Sequence, residues 1–254
     1  MATQLDQPPD LIPPPRAGGE MTLLEHLLEL RSRVMWSAIA VAAGMMFFFI
    51  PPIGFRLVDF LLEPGREALP GFRPQFIEPM ENIVTYFRVA LLGGVAVGMP
   101  MVVYQVLAFV APALTPTEKR WMIPLVIGAS LAFLAGMAFA YWIILPVTLK
   151  FLFTFGDYAD PNIRIGYYIN FVTRMLGIMG LVFETPLLVM GLAKLGLVGA
   201  RRLLKLWRFA IVGAFIVSAI VTPTIDPVTQ SLVAGPIVVL YFVGIFLAWL
   251  VRRN

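Results

Sequence analysis

Cysteine is absent from this chain, and histidine occurs once, as His26. The first absence excludes disulfides and thiol chemistry. Together the two leave no His/Cys set for zinc and no Ser–His pair within an apolar interior. Neither G-x-x-x-x-G-K-[ST] nor G-x-G-x-x-G occurs, so no phosphate-cradling nucleotide loop is encoded and any energy source must be external. Charge is also scarce: Asp, Glu, Lys and Arg make up 13% of the residues, about half the share usual in soluble domains. No cleavable leader is expected, because the N-terminal stretch is Pro-rich and polar and the first apolar run is too long and lacks a small-residue cleavage site. An enzyme, a bound cofactor, a metal centre and a nucleic-acid partner are therefore not expected.

What fills the chain is apolar sequence, 59% of it, with several runs of roughly 20 residues that match a bilayer core. Residues 1–20 hold Pro8, Pro9, Pro13, Pro14 and Pro15 with no apolar period, which predicts a disordered tail before a membrane domain over 21–254. Thr22 and Glu25 fit a capping box. In the helix that follows, Leu23, Leu24, Leu27 and Leu28 share one side, while Glu25, Glu29 and Arg33 follow one another at i,i+4 on another. Such a helix is expected to lie on the membrane surface before the chain turns in. Apolar spans follow at about 34–50, 83–109, 122–145, 168–192, 207–221 and 228–251. Between the first two, 51–82 reads as a polar loop with Pro64-Gly65 and Pro70-Gly71 turns and one short helix over 55–62. Gly94-x-x-x-Gly98 permits close helix approach, and Pro100 predicts a kink. Another loop is expected over 146–167. The fifth span offers roughly 22 Å of helix rise against a core of about 30 Å. The sixth is also effectively short if Pro236 breaks its start.

Six spans put both termini on one side. That side carries Arg16, Arg31, Arg33, Lys119, Arg120, Lys194, Arg201, Arg202, Lys205, Arg208, Arg252 and Arg253. The other carries Arg56, Arg66, Arg73, Arg88, Lys150 and Arg164. The more basic side is expected to be cytoplasmic, hence N-in and C-in.

Within this frame a few polar residues stand out. Glu184 lies about 24 Å into the fourth span by helix rise, past its middle. A carboxyl at such depth is unfavourable by at least a few kcal/mol unless paired, hydrated or protonated. Arg174 on the same helix is about 15 Å away along the axis and on another face. Glu184 must therefore face a water-filled cavity, another helix or a partner, and a functional role is favoured over a structural one. Glu118, with Lys119 and Arg120, sits on a turn stiffened by Pro112 and Pro116. Taken alone, Glu118 and the Glu29/Arg33 pair read as solvated charges, Thr222 and Gln230 as helix caps, and Phe47–Phe49 as lipid-facing bulk.

In order, however, the motifs resemble one family. His26-Leu-x-Glu29-Leu-Arg31-x-Arg33 is similar to the N-terminal signature of the TatC family, the polytopic core of the twin-arginine protein translocase. Pro100-x-x-x-Tyr104-Gln105-x-x-Phe109-x-x-Pro112-x-Leu114 with Glu118 resembles its second signature. Phe133-x-x-Gly136-x-x-Phe139-x-Tyr141, Phe183-Glu184-x-Pro186, and Thr222-Pro223 with Asp226 and Gln230 follow in family order. The chain departs where Leu107 replaces a frequent Trp and Phe242 a frequent Glu. The resemblance implies an all-α, six-span, glove-like bundle in the cytoplasmic membrane that binds twin-arginine signal peptides. It implies assembly with single-span TatA and TatB partners, self-association in the receptor complex, and transport of folded proteins driven by the proton-motive force. By matched position it implies that Glu29 and Glu118, with Phe109 close by and Arg31 and Arg33 in the same signature, meet the arginine pair. It likewise implies that Glu184 and Gln105 are polar groups of the concave groove, and that Thr222, Gln230 and Asp226 mark the partner-docking cluster. A small-solute secondary transporter is the alternative, but no inverted repeat is visible in the two halves.

Overall fold

A backbone N–H or C=O without a partner in hydrocarbon costs several kcal/mol, and a helix satisfies both within one segment. The computed structural model, which describes residues 23–111, 119–154, 162–194, 196, 198–222 and 226–251, is accordingly built of helices. Its helices are α1 (Leu23–Phe48), α2 (Pro51–Ala68), α3 (Glu81–Val110), α4 (Met122–Phe139), α5 (Leu145–Thr154), α6 (Ile165–Lys194), α7 (Ala200–Lys205), α8 (Trp207–Val221) and α9 (Pro227–Val251). A π-helical turn, Ala140–Ile144, joins α4 to α5 without a break. Residues 1–20, Thr22 of the expected capping box, and Glu118 with its proline corner lie outside the described residues.

Four stretches are long and apolar enough to cross a bilayer: α3, α4 with α5, α6 and α9. The pair α1 and α2 passes the same test together, bent by 91° at the break between them, and α8 is a shorter apolar helix. This agrees with six spans in which the fifth is short. α1 packs on α3 at one edge, and α8 packs on α9 at the other, with α4 and α6 between. The row is an open wall rather than a closed ring. The starts of α1, α4 and α8 and the ends of α3, α6 and α9 share one face, called here the near face. α2, the starts of α3 and α6, and the α8–α9 turn share the far face.

Several expectations change. First, the expected interfacial helix is not separate from the first span: α1 is one continuous helix of 26 residues. Nothing in 29–34 is a Gly or Pro that could break the hydrogen-bond ladder there. Second, the supposed loop after it is an 18-residue helix, α2. Pro51 and Pro52 occupy its first turn, where missing N–H groups cost nothing, and hold Ile50 extended at φ −64°, ψ 117°. That fixes the bend. Pro64 and Gly65 lie inside α2 rather than in a turn. Pro64 cannot donate to the Phe60 carbonyl, and the Tyr141 hydroxyl donates to it instead at 2.8 Å. One residue on, the Tyr168 hydroxyl inserts into the ladder: it accepts from the Gly65 N–H and donates to the Leu61 carbonyl, each at 3.0 Å. Third, α5 carries the third span on to Thr154, where a loop was expected from Pro146. The π turn ends at Ile144, two residues before Pro146, where the helix lacks a donor. Pro236 likewise leaves α9 unbroken over its 25 residues. Of the three phenylalanines expected to face lipid, only Phe47 is mostly exposed; Phe48 packs on Gly93, and Phe49 lies edge-on to Phe87 at 4.5 Å.

The Gly94-x-x-x-Gly98 expectation holds. A methyl group at Gly94 would meet the Met45 nitrogen at 2.6 Å and the Val41 carbonyl oxygen at 2.7 Å, so α1 and α3 touch backbone to backbone. Most of the buried apolar side chains among the described residues form one cluster, with Leu61 of α2, Val89 of α3, Ile144, Leu149 of α5, and Ile169, Val172 and Met175 of α6. This places the rigid core towards the far face and leaves the near-face helix ends comparatively open.

Candidate functional site

The near-face end of α1 is fixed by its contact with α3, and that contact brings the first two motifs together. The His26 ring stacks on Phe109, centroids 4.3 Å apart and 26° between planes. Two turns further along α1, the Arg33 guanidinium donates to Glu29 Oε1 at 3.1 Å and to Gln105 Oε1 at 3.1 Å. Gln105 is buried at 4% exposure, and its amide also reaches the Met101 sulfur at 3.9 Å. Glu29 and Arg33 retain 19% and 32% side-chain exposure, so this is not a freely solvated surface pair. Glu29 Oε2 is buried and has no hydrogen-bond partner among the described residues. A carboxylate can accept about four hydrogen bonds, so one oxygen is held in place while the other keeps unused capacity. Arg31 is exposed. Glu118 follows Phe109 by nine residues and lies outside the described residues.

Gln105, expected with Glu184, is thus placed at the Glu29–Arg33 pair. His26 was visible in the motif, but nothing in its spacing announced the stack on Phe109. That contact depends on the Gly94 approach several turns away.

Glu184 is 7% exposed, and its Oε1 has no hydrogen-bond partner among the described residues. Helix geometry sets its direction. Gly180, one turn before it, lies against the Phe133 ring, and Leu187, one turn after it, packs on the cluster of Met99, Val103, Ala129 and Phe133. Glu184 therefore faces the junction of α3, α4 and α6, on an inner helix surface where an unsatisfied acceptor is costly.

At the far face, α8 and α9 meet in a polar turn. Thr222 is 4% exposed, and its hydroxyl donates to the Ser218 carbonyl at 2.9 Å. The Ser218 hydroxyl in turn donates to the Gln230 carbonyl at 2.7 Å. Asp226 caps α9, its Oδ1 accepting from the Thr229 N–H at 2.6 Å. The Gln230 side chain is half-buried. Ser218 joins Thr222 to Gln230, a role the motif spacing did not reveal. Among the described residues no group of three or more His, Cys, Asp or Glu is placed to hold a metal ion.

Comparison with known proteins agrees with this architecture. The family described as TatC, Sec-independent protein translocase protein, matches residues 25–236. The Sec-independent protein translocase protein TatC of Synechocystis sp. is 38% identical, covering 96% of this chain and 97% of that protein. The chloroplastic TATC protein of Arabidopsis thaliana is also 38% identical, over 92% of this chain and 67% of its own length. A crystal structure of the twin-arginine translocase receptor TatC superposes with a TM-score of 0.80 at 35% identity, covering 90% of this chain and all of that one. A match across most of the chain, with the fold and the ordered motifs alike, makes this multi-pass membrane protein a member of the TatC family.

Proposed function

We propose that the chain is the core, signal-peptide-receptor subunit of a twin-arginine translocase, carrying folded proteins across the cytoplasmic membrane at the expense of the proton-motive force. The observation that carries the recognition step is the Glu29–Arg33–Gln105 arrangement beside the His26–Phe109 stack. A twin-arginine signal brings two planar guanidiniums, each with N–H pairs that match a carboxylate in a bidentate fork. Glu29 offers a fixed carboxylate with one buried, unpartnered oxygen. Glu118, close in sequence to the end of α3, supplies the second carboxylate on this reading. Phe109 gives the peptide's apolar part a first surface, and the groove beside α3 and α6 takes the rest. Arg31 and Arg33 belong to the same site, Arg33 holding Glu29 in position.

On this reading the near face is cytoplasmic, in keeping with the 12 to 6 division of the cations between the two sides. Glu184 and the Thr222–Ser218–Gln230 turn, with Asp226, are where single-span TatA- and TatB-type partners and further copies of the chain engage. The chain encodes no nucleotide site, so the driving force comes from the membrane potential and proton gradient. A translocase core is inert without partners, whereas the competing small-solute transporter would move solute alone in liposomes.

The test is binding of a twin-arginine signal peptide to the detergent-solubilised protein, comparing wild type, Glu29→Ala, Glu118→Ala and the double variant. A charge-assisted contact is worth about 1.5–3 kcal/mol, so each single loss weakens binding roughly ten- to a hundredfold. Wild-type affinity in the double variant would overturn the assignment.

A further inference from the structure

Two arginines on the far-face half of the wall have no place in the site above. Arg88 lies seven residues into α3 and Arg174 nine residues into α6. Each of these helices has 30 residues, about 45 Å of rise, close to the full 40–45 Å of a bilayer with its headgroups. The Cα atoms of Arg88 and Arg174 therefore sit about 10 Å and 14 Å inside the far-face ends. Snorkelling along their long stems brings the guanidiniums up to the headgroup level. The neighbouring Arg164 is neutralised by Glu78 at 2.7 Å and Glu81 at 2.8 Å. Arg88 and Arg174 are exposed, and neither has a carboxylate within ion-pair reach among the described residues. Arg174 commits one N–H to the Ile220 carbonyl at 3.3 Å; a guanidinium has five.

Both arginines line one groove of about 330 Å³ between α3 and α6, with Asn170 and Thr173 beside them. Deeper in the same groove the lining becomes apolar: Leu92 and Val95 lie one to two turns further along α3, Leu181 two turns further along α6, with Phe133 behind. The groove is thus cationic and polar at headgroup depth and apolar below it. We propose that it is a binding site for an anionic phospholipid of the far-face leaflet, its phosphate held between Arg88 and Arg174 and an acyl chain laid along Leu92, Val95 and Leu181. A cation at this depth needs water or an anion, and a lipid phosphate is the anion already present at that level, attached to a tail that fits the rest of the groove. The carboxylate of a partner's membrane helix would satisfy the charges but would leave this alignment of headgroup depth and apolar floor without use.

Native mass spectrometry of the full purified chain in mixed micelles with equimolar phosphatidylglycerol and phosphatidylcholine tests this. Wild type should retain phosphatidylglycerol about tenfold over phosphatidylcholine. Arg88→Gln/Arg174→Gln should abolish the preference, and Arg88→Lys/Arg174→Lys should keep most of it. A second measurement needs no variant: phosphatidylglycerol, but not phosphatidylcholine, should slow modification of Arg88 and Arg174 by phenylglyoxal, read by peptide mass mapping. Equal retention of the two lipids by wild type, an unchanged preference in the double glutamine variant, or no protection from phenylglyoxal would overturn the site. Loss of co-purifying single-span partners in the glutamine variant with lipid retention unchanged would overturn it in favour of a partner's carboxylate.

Discussion

Replacing Gln105 with leucine should separate a residue that positions the recognition carboxylate from one that touches the peptide. Gln105 is almost fully buried, and its oxygen takes one Arg33 N–H at 3.1 Å while Glu29 takes another at 3.1 Å. Leucine is near enough in volume to keep the α1–α3 contact, so the lesion is the lost acceptor. Because Arg33 is 32% exposed, water can replace much of that bond, and the stability cost is held to about 1 kcal/mol or less. The effect on recognition comes through Glu29, which loses the brace that holds Arg33 against it. If alignment contributes about a third of a contact worth 1.5–3 kcal/mol, the dissociation constant for a twin-arginine peptide rises roughly two- to fivefold. The assay is fluorescence anisotropy with a labelled signal peptide, run on wild type, Gln105→Leu, Glu29→Ala and the double variant. With Glu29 already gone there is nothing left to align, so Gln105→Leu should add no further loss. Wild-type affinity in Gln105→Leu, or a full additive loss in the Glu29→Ala background, would refute the positioning role.

Tyr168→Phe should lower the thermal midpoint in detergent, because the Gly65 N–H and the Leu61 carbonyl lose their shared partner; the expected cost is about 2–4 kcal/mol, and an unchanged midpoint would mean that α2 closes its own ladder. Glu184→Ala should reduce transport while leaving insertion and folding intact, with Glu184→Gln milder; normal export by Glu184→Leu would make the carboxyl merely structural. In this cysteine-free chain, Ala68→Cys should label from outside intact cells and Thr117→Cys only after permeabilisation, and the reverse pattern would invert the orientation.

Much of the molecule follows from one-dimensional facts. Span existence is set by run length against bilayer thickness, so α3, α4, α6 and α9 are legible from hydropathy alone, and even the shortness of α8 can be counted in residues. A close helix approach is legible in Gly94, because only a missing Cβ allows it, although that α1 makes it is not. The polar residues of the two N-terminal signatures stand out only through the resemblance of the ordered motifs to the family, since alone they read as solvated charges.

Tertiary structure decided what depends on partners distant in sequence. Proline and glycine at 64–65 predict a turn wherever the broken ladder must be repaired locally. Here two tyrosine hydroxyls, one of them 103 residues from Gly65, supply the missing bonds, and the helix persists. Gln105 presents the same lesson in the site: sequence marks it as polar within a membrane span, but only the packing of α1 on α3 gives it to Arg33. Hydropathy and periodicity report what a segment can satisfy by itself. Where a buried carbonyl, amide or guanidinium is satisfied by another helix, the outcome belongs to the fold, and in this protein those positions include the end of the wall where Glu29 is held.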